Sequence, residues 1–353
     1  MTEPRRPARD LLPPVFTAAE ARAVGLRPDR QLGAGLVRLA RGIYASAAGE
    51  GAPIIPGEAG AALDAGGRIG RVGSSGEDPL GLRFGDAHPD REWRRSQVER
   101  ARLLSARAPP GAFFSHHTAA ALWGLPVPAR AGEALDLGFF LPRRGSRKAA
   151  FLVHHFVEGS VVSSEVCGVP VSDPASTWLM LASRLPRSAA VALGDAVLYA
   201  PRYPGTTRLK RPPLASLAEI QRLIAMPHRR GRRHLAALAE LLSASAASPP
   251  ESHLRLLLRD WGVPEPELDW DVRDAEGRLI GCSEIAFVEH RLALEYEGDH
   301  HRVDPHQWNR DIEKYRAYAS AGWEVLRVTA ALLYRQPETL RAQVEEALAR
   351  RAG

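Results

Sequence analysis

Two glutamates two residues apart, Glu295 and Glu297, stand in the stretch RLALEYEGDHH that runs from Arg291 to His301. Apolar and charged residues alternate there, so a strand would put both carboxylates on one face. Asp299, His300 and His301 follow just beyond. Like charges at that spacing repel each other. The preceding stretch LIGCSEIAF, residues 279–287, also reads as a strand, and Val288, Glu289, His290 and Arg291 are few enough for a hairpin loop. A hairpin symmetric about that loop pairs Phe287 with Leu292. Counting outward then pairs Glu284 with Glu295, with Cβ atoms about 5 Å apart. Three carboxylates converge on one patch. A divalent cation with oxygen ligands offsets such repulsion, and Mg²⁺ usually takes one or two carboxylates plus water and phosphate oxygens. A slipped register, or a polar hairpin facing outward, would instead leave the same residues in solvent.

The elements that must position these residues follow from the last hundred residues. ESHLRLLLRDWG has helical spacing from Glu251 to Trp261, with Gly262 as its stop. LDWDVRD is a strand, AEGR a turn, and the two strands of the hairpin come next. PHQWNRDIEKYRAYASAG is a helix from Pro305 to a stop at Gly322. WEVLRVT is a last strand, and a helix begins near Gln336. The predicted order is α-β-β-β-α-β-α.

That order, with an acid on the second strand and E-x-E on the third, resembles the PD-(D/E)XK nuclease core. More closely, SEIAFVEHRLALEYEGDHH and QWNRDIEKYRAYASAGWEVLRVT resemble the very-short-patch-repair-like endonuclease domains, over about residues 249–335. The resemblance implies that Glu251, Glu284 and Glu295 surround a metal, with Glu297, His300 and His301 at the edge of the site. It implies phosphodiester hydrolysis with Mg²⁺ (or Mn²⁺) held by Glu284, Glu295 and the Tyr296 carbonyl, and Glu251 holding a second metal or the attacking water. His301, or else His300, would protonate the leaving oxygen, since imidazole titrates near neutrality. Arg310 and Arg316 on the following helix contact phosphate or are simply solvated. Two residues depart from the pattern. The second strand usually carries Asp, and Glu284 is one methylene longer. The wider superfamily often has Lys where Glu297 stands, so a histidine or a metal-bound water would have to orient the nucleophile.

Bulk properties fit such a chain. Its 353 residues suggest two or three domains. The absence of any apolar run of about 18 residues argues against a membrane span. The start MTEPRRPARD lacks an apolar signal core, which predicts a cytoplasmic protein. Cys167 and Cys282 are isolated and make neither a disulfide scaffold nor a zinc cluster. Charge is unevenly spread. From Glu251 onward 14 Lys and Arg face 20 Asp and Glu, leaving 33 against 21 for residues 1–250. A basic front suits a polyanion such as the DNA backbone, and an acidic rear suits a cation. Lysine occurs only at Lys148, Lys210 and Lys314.

Residues 11–46 read as helix, turn, short helix and basic hairpin, with capping-box spacing from Thr17 to Glu20. This is the outline of a winged helix-turn-helix, with Arg30, Arg38 and Arg41 as DNA-contacting residues. The stretch FTAAEARAVGL with LVRLARGIYA resembles the start of AbiEi-type antitoxins and related regulators. Ordinary core helices with a solvated basic strand would share this pattern. Residues 47–90 form a Gly/Pro-rich insert, read as mobile, and residues 91–242 a mixed α/β middle region. Neither His116-His117 nor His154-His155 makes a metal site alone, because adjacent residues diverge on a helix or a strand. MPHRRGRRH, at 226–234, is either a solvated helix face or a phosphate contact, and SASAASPP at 243–250 is a linker by composition. The expected fold is α+β and multidomain: an N-terminal winged helix, the middle region, and a restriction-endonuclease-like αβββαβ core within 249–353. Expected functions are a metal-dependent endonuclease in DNA repair, restriction or phage defence, or a non-catalytic DNA-binding antitoxin or transcriptional regulator with a decayed nuclease fold. A structural fusion whose rear domain binds a partner protein is a third. A toxin or defence-system partner would go with the middle one.

Overall fold

The fold is that of a computed structural model, which describes residues 12, 15–28, 36–40, 43–46, 89–130, 132, 134–145, 150–227, 229–297 and 305–351. Among them the chain is α+β, with one antiparallel and two mixed sheets. The insert expected at 47–90 lies outside the described residues, apart from its last two positions.

The front begins with β1 (Val15–Thr17), α1 (Ala18–Ala23), β2 (Leu36–Ala40) and β3 (Ile43–Ser46), and the strands pair in the order β1-β3-β2. Thr17 and Glu20 form the expected capping box, each side chain accepting from the other's backbone N–H. Phe16, Ala21, Leu36 and Tyr44 make a small core. The second helix expected near residues 28–32 falls largely outside the described residues.

The middle region opens with α2 (Pro89–Ser105), β4 (Ala112–Phe114), α3 (His116–Leu122), β5 (Leu135–Phe140), β6 (Phe151–Phe156), β7 (Ser163–Val166) and β8 (Val169–Ser172). Its sheet runs β6-β5-β4-β8-β7. The β5–β6 and β4–β8 pairs are parallel and the others antiparallel. Four helices follow: α4 (Pro174–Ala182), α5 (Arg187–Leu198), α6 (Leu217–Ala225) and α7 (Arg232–Ala239). Asp173 caps α4 ahead of Pro174, whose fixed φ suits a first helical turn. These helices enclose the fully buried Trp178.

The last elements are α8 (Pro249–Trp261), β9 (Glu267–Arg273), β10 (Leu279–Phe287), β11 (Leu292–Glu297), α9 (Pro305–Ser320), β12 (Glu324–Thr329), α10 (Ala330–Arg335) and α11 (Pro337–Arg350). They follow the predicted order, with α10 added where Thr329 caps a short helix by accepting from Leu332 N–H. The sheet runs β12-β11-β10-β9, with β11–β12 parallel and the rest antiparallel. Leu292, Leu294, Ile285 and Phe287 pack on α8, α10 and α11 through Leu254, Leu258, Leu333, Leu340 and Val344. Ala286 and Ala293 point the other way, toward Tyr318 of α9 and Trp323.

The stretch 243–250 is not a free linker. Ser243 N–H donates to Asp195 Oδ1 at 2.7 Å, Ala246 is buried, and Ser248 caps α8. Arg255 of α8 donates to Asp195 Oδ2 at 2.9 Å and to the Leu241 carbonyl at 2.7 Å. Small polar residues here serve as caps and turn donors, a use that composition cannot distinguish from solvation. Among the described residues no helix is long and apolar enough to cross a membrane.

Candidate carboxylate site

The hairpin has the expected register, with Phe287 opposite Leu292, Ala286 opposite Ala293 and Ile285 opposite Leu294. The next positions outward are Glu284 and Glu295. By alternation both share the face of Ala286 and Ala293, toward α9. Glu284 Oε2 accepts from Tyr296 N–H at 2.8 Å, so one carboxylate spans the strand end. Glu251 arrives from the first turn of α8. Its Oε2 accepts from Ala247 N–H and its Oε1 from the Ser248 hydroxyl, both at 2.8 Å. Glu251 is 7% exposed and Glu295 likewise 7%. Burial, opposed by those two hydrogen bonds and assisted by the charges of Glu295 and Asp269, pushes Glu251 up to about 7. Burial, and then the charges of Glu251 and Glu295, hold Glu284 well above the ordinary carboxylate range.

A lysine answers this charge. Lys314 of α9 places Nζ 2.9 Å from Glu295 Oε2 and 3.1 Å from the Cys282 carbonyl. It also lies 5.2 Å from the ring centre of Tyr318, one turn further on. Position 297 holds a glutamate, and the ammonium beside Glu295 comes from the next helix. The sequence signal was present, since Lys314 is one of only three lysines and shares a helix face with Tyr318. Glu295 Oε1 is buried with no hydrogen-bond partner among the described residues.

Other expected site residues divide. Glu297 pairs through both carboxylate oxygens with Arg327 of β12, whose ladder partner is Glu295 two residues earlier, so its charge is already matched at the site's edge. Tyr296 packs its ring into the α8 side and meets Glu284 through its N–H. Arg316 is exposed on α9. His300, His301, Arg30 and Arg41 lie outside the described residues, as do the side chains of Arg38 on β2 and Arg310 on α9.

A second cluster was missed by sequence. One histidine from each adjacent pair meets Asp136 of β5. His154 Nε2 is 2.8 Å from Asp136 Oδ1, and the rings of His116 and His154 lie 3.9 Å apart. Among the described residues this is the group of three whose ligand atoms all fall within 4.8 Å of one another, so it is a possible metal-binding triad. Neither pair makes the group by itself; the parallel β5–β6 pairing and the start of α3 bring one member of each together. Arg130 Nη1 sits 2.7 Å from Asp136 Oδ2. Burial opposes the Asp136 charge, but hydrogen bonds from His154 and Arg130 outweigh it and hold the carboxyl below its ordinary range. Burial, with the positive potential of His154, lowers His116 to about 3.

No family model matches the chain. Two curated relatives from Mycobacterium tuberculosis do: Uncharacterized protein Rv2248 of strain ATCC 25618 / H37Rv and Uncharacterized protein MT2308 of strain CDC 1551 / Oshkosh. Each is 30% identical over 242 residues, covering 67% of this chain and 82% of the relative. The chain belongs to their family. That match exceeds the length of any one sheet region.

Proposed function

We propose that the C-terminal region is a divalent-cation-dependent nuclease of the PD-(D/E)XK plan, hydrolysing phosphodiester bonds in DNA as part of repair, restriction or phage defence. One observation carries this reading: three largely buried carboxylates from α8, β10 and β11 lie close enough for their charges to raise the pKa values of Glu251 and Glu284, and the third, Glu295, pairs with a lysine from α9. Three acids against one cation cannot all ionise without a further positive charge where little water can solvate them. The donor set is all oxygen, Glu295 Oε1 lacks a partner among the described residues, and Glu251 and Glu284 hold their protons at neutral pH more firmly than ordinary acids. These features fit a hard cation, which Glu284, Glu295 and Glu251 would hold. Bound Mg²⁺ or Mn²⁺ supplies Lewis acidity at phosphate and lowers the pKa of water.

The chain's own groups supply the rest. The β10–β11 ladder fixes Glu284 and Glu295 on rigid backbone, so their separation does not depend on a loop. The α8 cap fixes Glu251 by hydrogen bonds from Ala247 and Ser248. Lys314 keeps an ammonium beside Glu295, where it orients the nucleophilic water and stabilises charge that develops on the phosphate oxygens. The basic residues 1–250 hold the DNA backbone, with a winged-helix-like front as one contact.

Plasmid nicking tests this. The parent should nick supercoiled DNA with Mg²⁺ or Mn²⁺, and Glu295→Ala should lose at least about 100-fold of that rate while binding DNA as the parent does. Nicking that persists in Glu295→Ala sinks the site. DNA binding without any nicking by the parent favours the non-catalytic regulator.

A further inference from the structure

The segment PRYPGTTRLKR, residues 201–211, leaves the end of α5 and folds back on itself. Arg202 bridges Leu209 in antiparallel fashion, Tyr203 N–H donates to the Arg208 carbonyl at 2.9 Å, and Lys210 N–H donates to the Pro201 carbonyl at 2.7 Å. Gly205 takes φ +78° at the turn, a conformation that costs glycine nothing. The hairpin is clamped to the outer strand of the carboxylate-bearing sheet. Arg202 Nε lies 2.7 Å from Asp269 Oδ2 and its Nη1 2.9 Å from Asp271 Oδ1, and Gly205 N–H donates to the same Asp271 oxygen at 3.0 Å.

The clamp leads directly to the site. Arg202 Nη2 is 3.3 Å from Cys282 Sγ, and the Cys282 carbonyl accepts from the same Lys314 ammonium that binds Glu295. At the base of the hairpin, Arg211 lies 5.8 Å from the ring centre of Tyr199. Tyr199 is itself close enough to Glu251 and Asp269 to feel their charges. Arg211 Nη2 is buried without a hydrogen-bond partner among the described residues. Outside the clamp, the exposed ring of Tyr203 carries Arg208 at 4.5 Å and Lys210 at 5.8 Å from its centre. Arg208, Leu209 and Lys210 are exposed. A strand of the hairpin thus spends one arginine on the protein and presents the remaining cations, with one aromatic ring, beside a patch of excess negative charge.

We propose that the 201–211 hairpin is a nucleic-acid-binding element that grips phosphates flanking the scissile bond and holds the strand against the carboxylates. Cations next to an acidic site solve a specific problem, because a polyanion would otherwise be repelled from Glu251, Glu284 and Glu295. Arg208 and Lys210 contact phosphates, Tyr203 offers a face for a sugar or base, and Arg211 stands beside Tyr199 at the base of the hairpin. The proposal rests on the phosphodiester reading of the carboxylate site, whose failure shows separately.

The experiment measures binding of the full chain to a fluorescein-labelled mixed-sequence DNA duplex by anisotropy, in EDTA so that cleavage does not interfere, across a salt series. The double variant Arg208→Ala/Lys210→Ala removes two exposed cations without touching the clamp. It should weaken binding about tenfold at low salt and reduce the slope of log Kd against log salt by about 2. Arg232→Ala/Arg233→Ala, at the exposed start of α7, removes the same charge elsewhere and should have a smaller effect. Parent-like binding by the hairpin variant, or an equal loss in the α7 control, overturns the proposal. A parent that binds DNA but never nicks it with Mg²⁺ or Mn²⁺ sinks the phosphodiester reading, and with it the positioning role, even where the hairpin variant weakens binding.

Discussion

Among the described residues, the cluster of ionisable side chains at one mixed sheet and that at the other are balanced oppositely. The triad of His116, Asp136 and His154 has ligand atoms close enough for a metal. Its one acid is already matched by Arg130 at 2.7 Å, and His116 is held neutral by burial. The cluster of Glu251, Glu284 and Glu295 is looser, because Ala247, Ser248, Tyr296 and Lys314 each draw a carboxylate oxygen aside. It nevertheless holds more acids than Lys314 alone can offset once they ionise. Close ligand spacing marks the first cluster and unmatched charge the second. A cation added to the first sits beside Arg130; a cation added to the second relieves repulsion. Unmatched buried charge is the stronger pointer to function, since folding alone gives no reason to retain it.

The comparison is broken most severely at Lys314. Lys314→Met keeps the length of the side chain and removes its charge. With the nucleophile no longer oriented, cleavage should fall by at least about 100-fold, close to the effect of Glu295→Ala. The variants part in the metal dependence. Lys314→Met leaves three acids with no internal cation, so it should need less Mg²⁺ for half-maximal stabilisation in a thermal melt, while Glu295→Ala should need more. Equal Mg²⁺ requirements in both variants would show that Lys314 and the cation do not share Glu295.

Asp136→Asn strikes the other cluster. It leaves Arg130 and the His154 ring facing a neutral amide in place of a carboxylate. Breaking a fully buried pair costs about 3–5 kcal/mol, but Arg130 is partly exposed, so about 2 kcal/mol of folding stability is expected here. DNA nicking should change only as stability does. EDTA should leave the parent's melting temperature unchanged at this cluster, which is read by comparing parent and Asp136→Asn with and without chelator. A chelator-sensitive melt that becomes insensitive in Asp136→Asn would make the triad a metal site and reverse the contrast.

The two clusters also differ in how well sequence exposes them. Glu284 and Glu295 are related by one short hairpin, and strand alternation fixes their common face, so counting from Phe287 and Leu292 was enough. Glu251 adds a helix start marked by Ser248 and Pro249. Lys314 needed the packing of α9 on the sheet, which spacing within the helix suggests but cannot place. His116 and His154 needed β5 and β6 to pair in parallel, with α3 leaving the sheet beside them. Nothing local encodes that pairing. The 243–250 stretch failed for a different reason: serines that cap α8 and tie down Asp195 have the composition of a solvated linker. Arg202 belongs to the same class, being one arginine among many until Asp269 and Asp271 are brought to it by the edge strand.

The smallest effect expected is the most direct measure of unmatched charge. Glu251 and Glu284 have carboxyls raised in the folded chain, to about 7 for Glu251 and well above the ordinary range for Glu284. Folding therefore favours their protonated forms. The stability this lends is fully present below the unfolded value of about 4.5 and is lost as pH rises through the folded values. His116 and His117, lowered to about 3 and about 4 by burial above all, act in the opposite sense. Their destabilisation is felt at acid pH and is gone once unfolded histidine is neutral, above about 6.5. Burial raises Cys282 and Tyr318, so these lose stability only in the alkaline range where free thiols and phenols ionise. In the interval from about pH 7 to 8.5 the raised carboxyls dominate, and since burial also raises Asp195 outside the site, the Glu284 variant gives the site's share. Urea unfolding in EDTA across that interval should show stability falling with a slope of up to about 1.4 kcal/mol per pH unit for each proton released. Glu284→Gln should flatten the fall. Saturating Mg²⁺ should flatten it too, because a cation favours the ionised acids in the folded state alone. A slope unchanged in Glu284→Gln would mean that the acids do not share one electrostatic site, and the contrast with the balanced triad would fail at its origin.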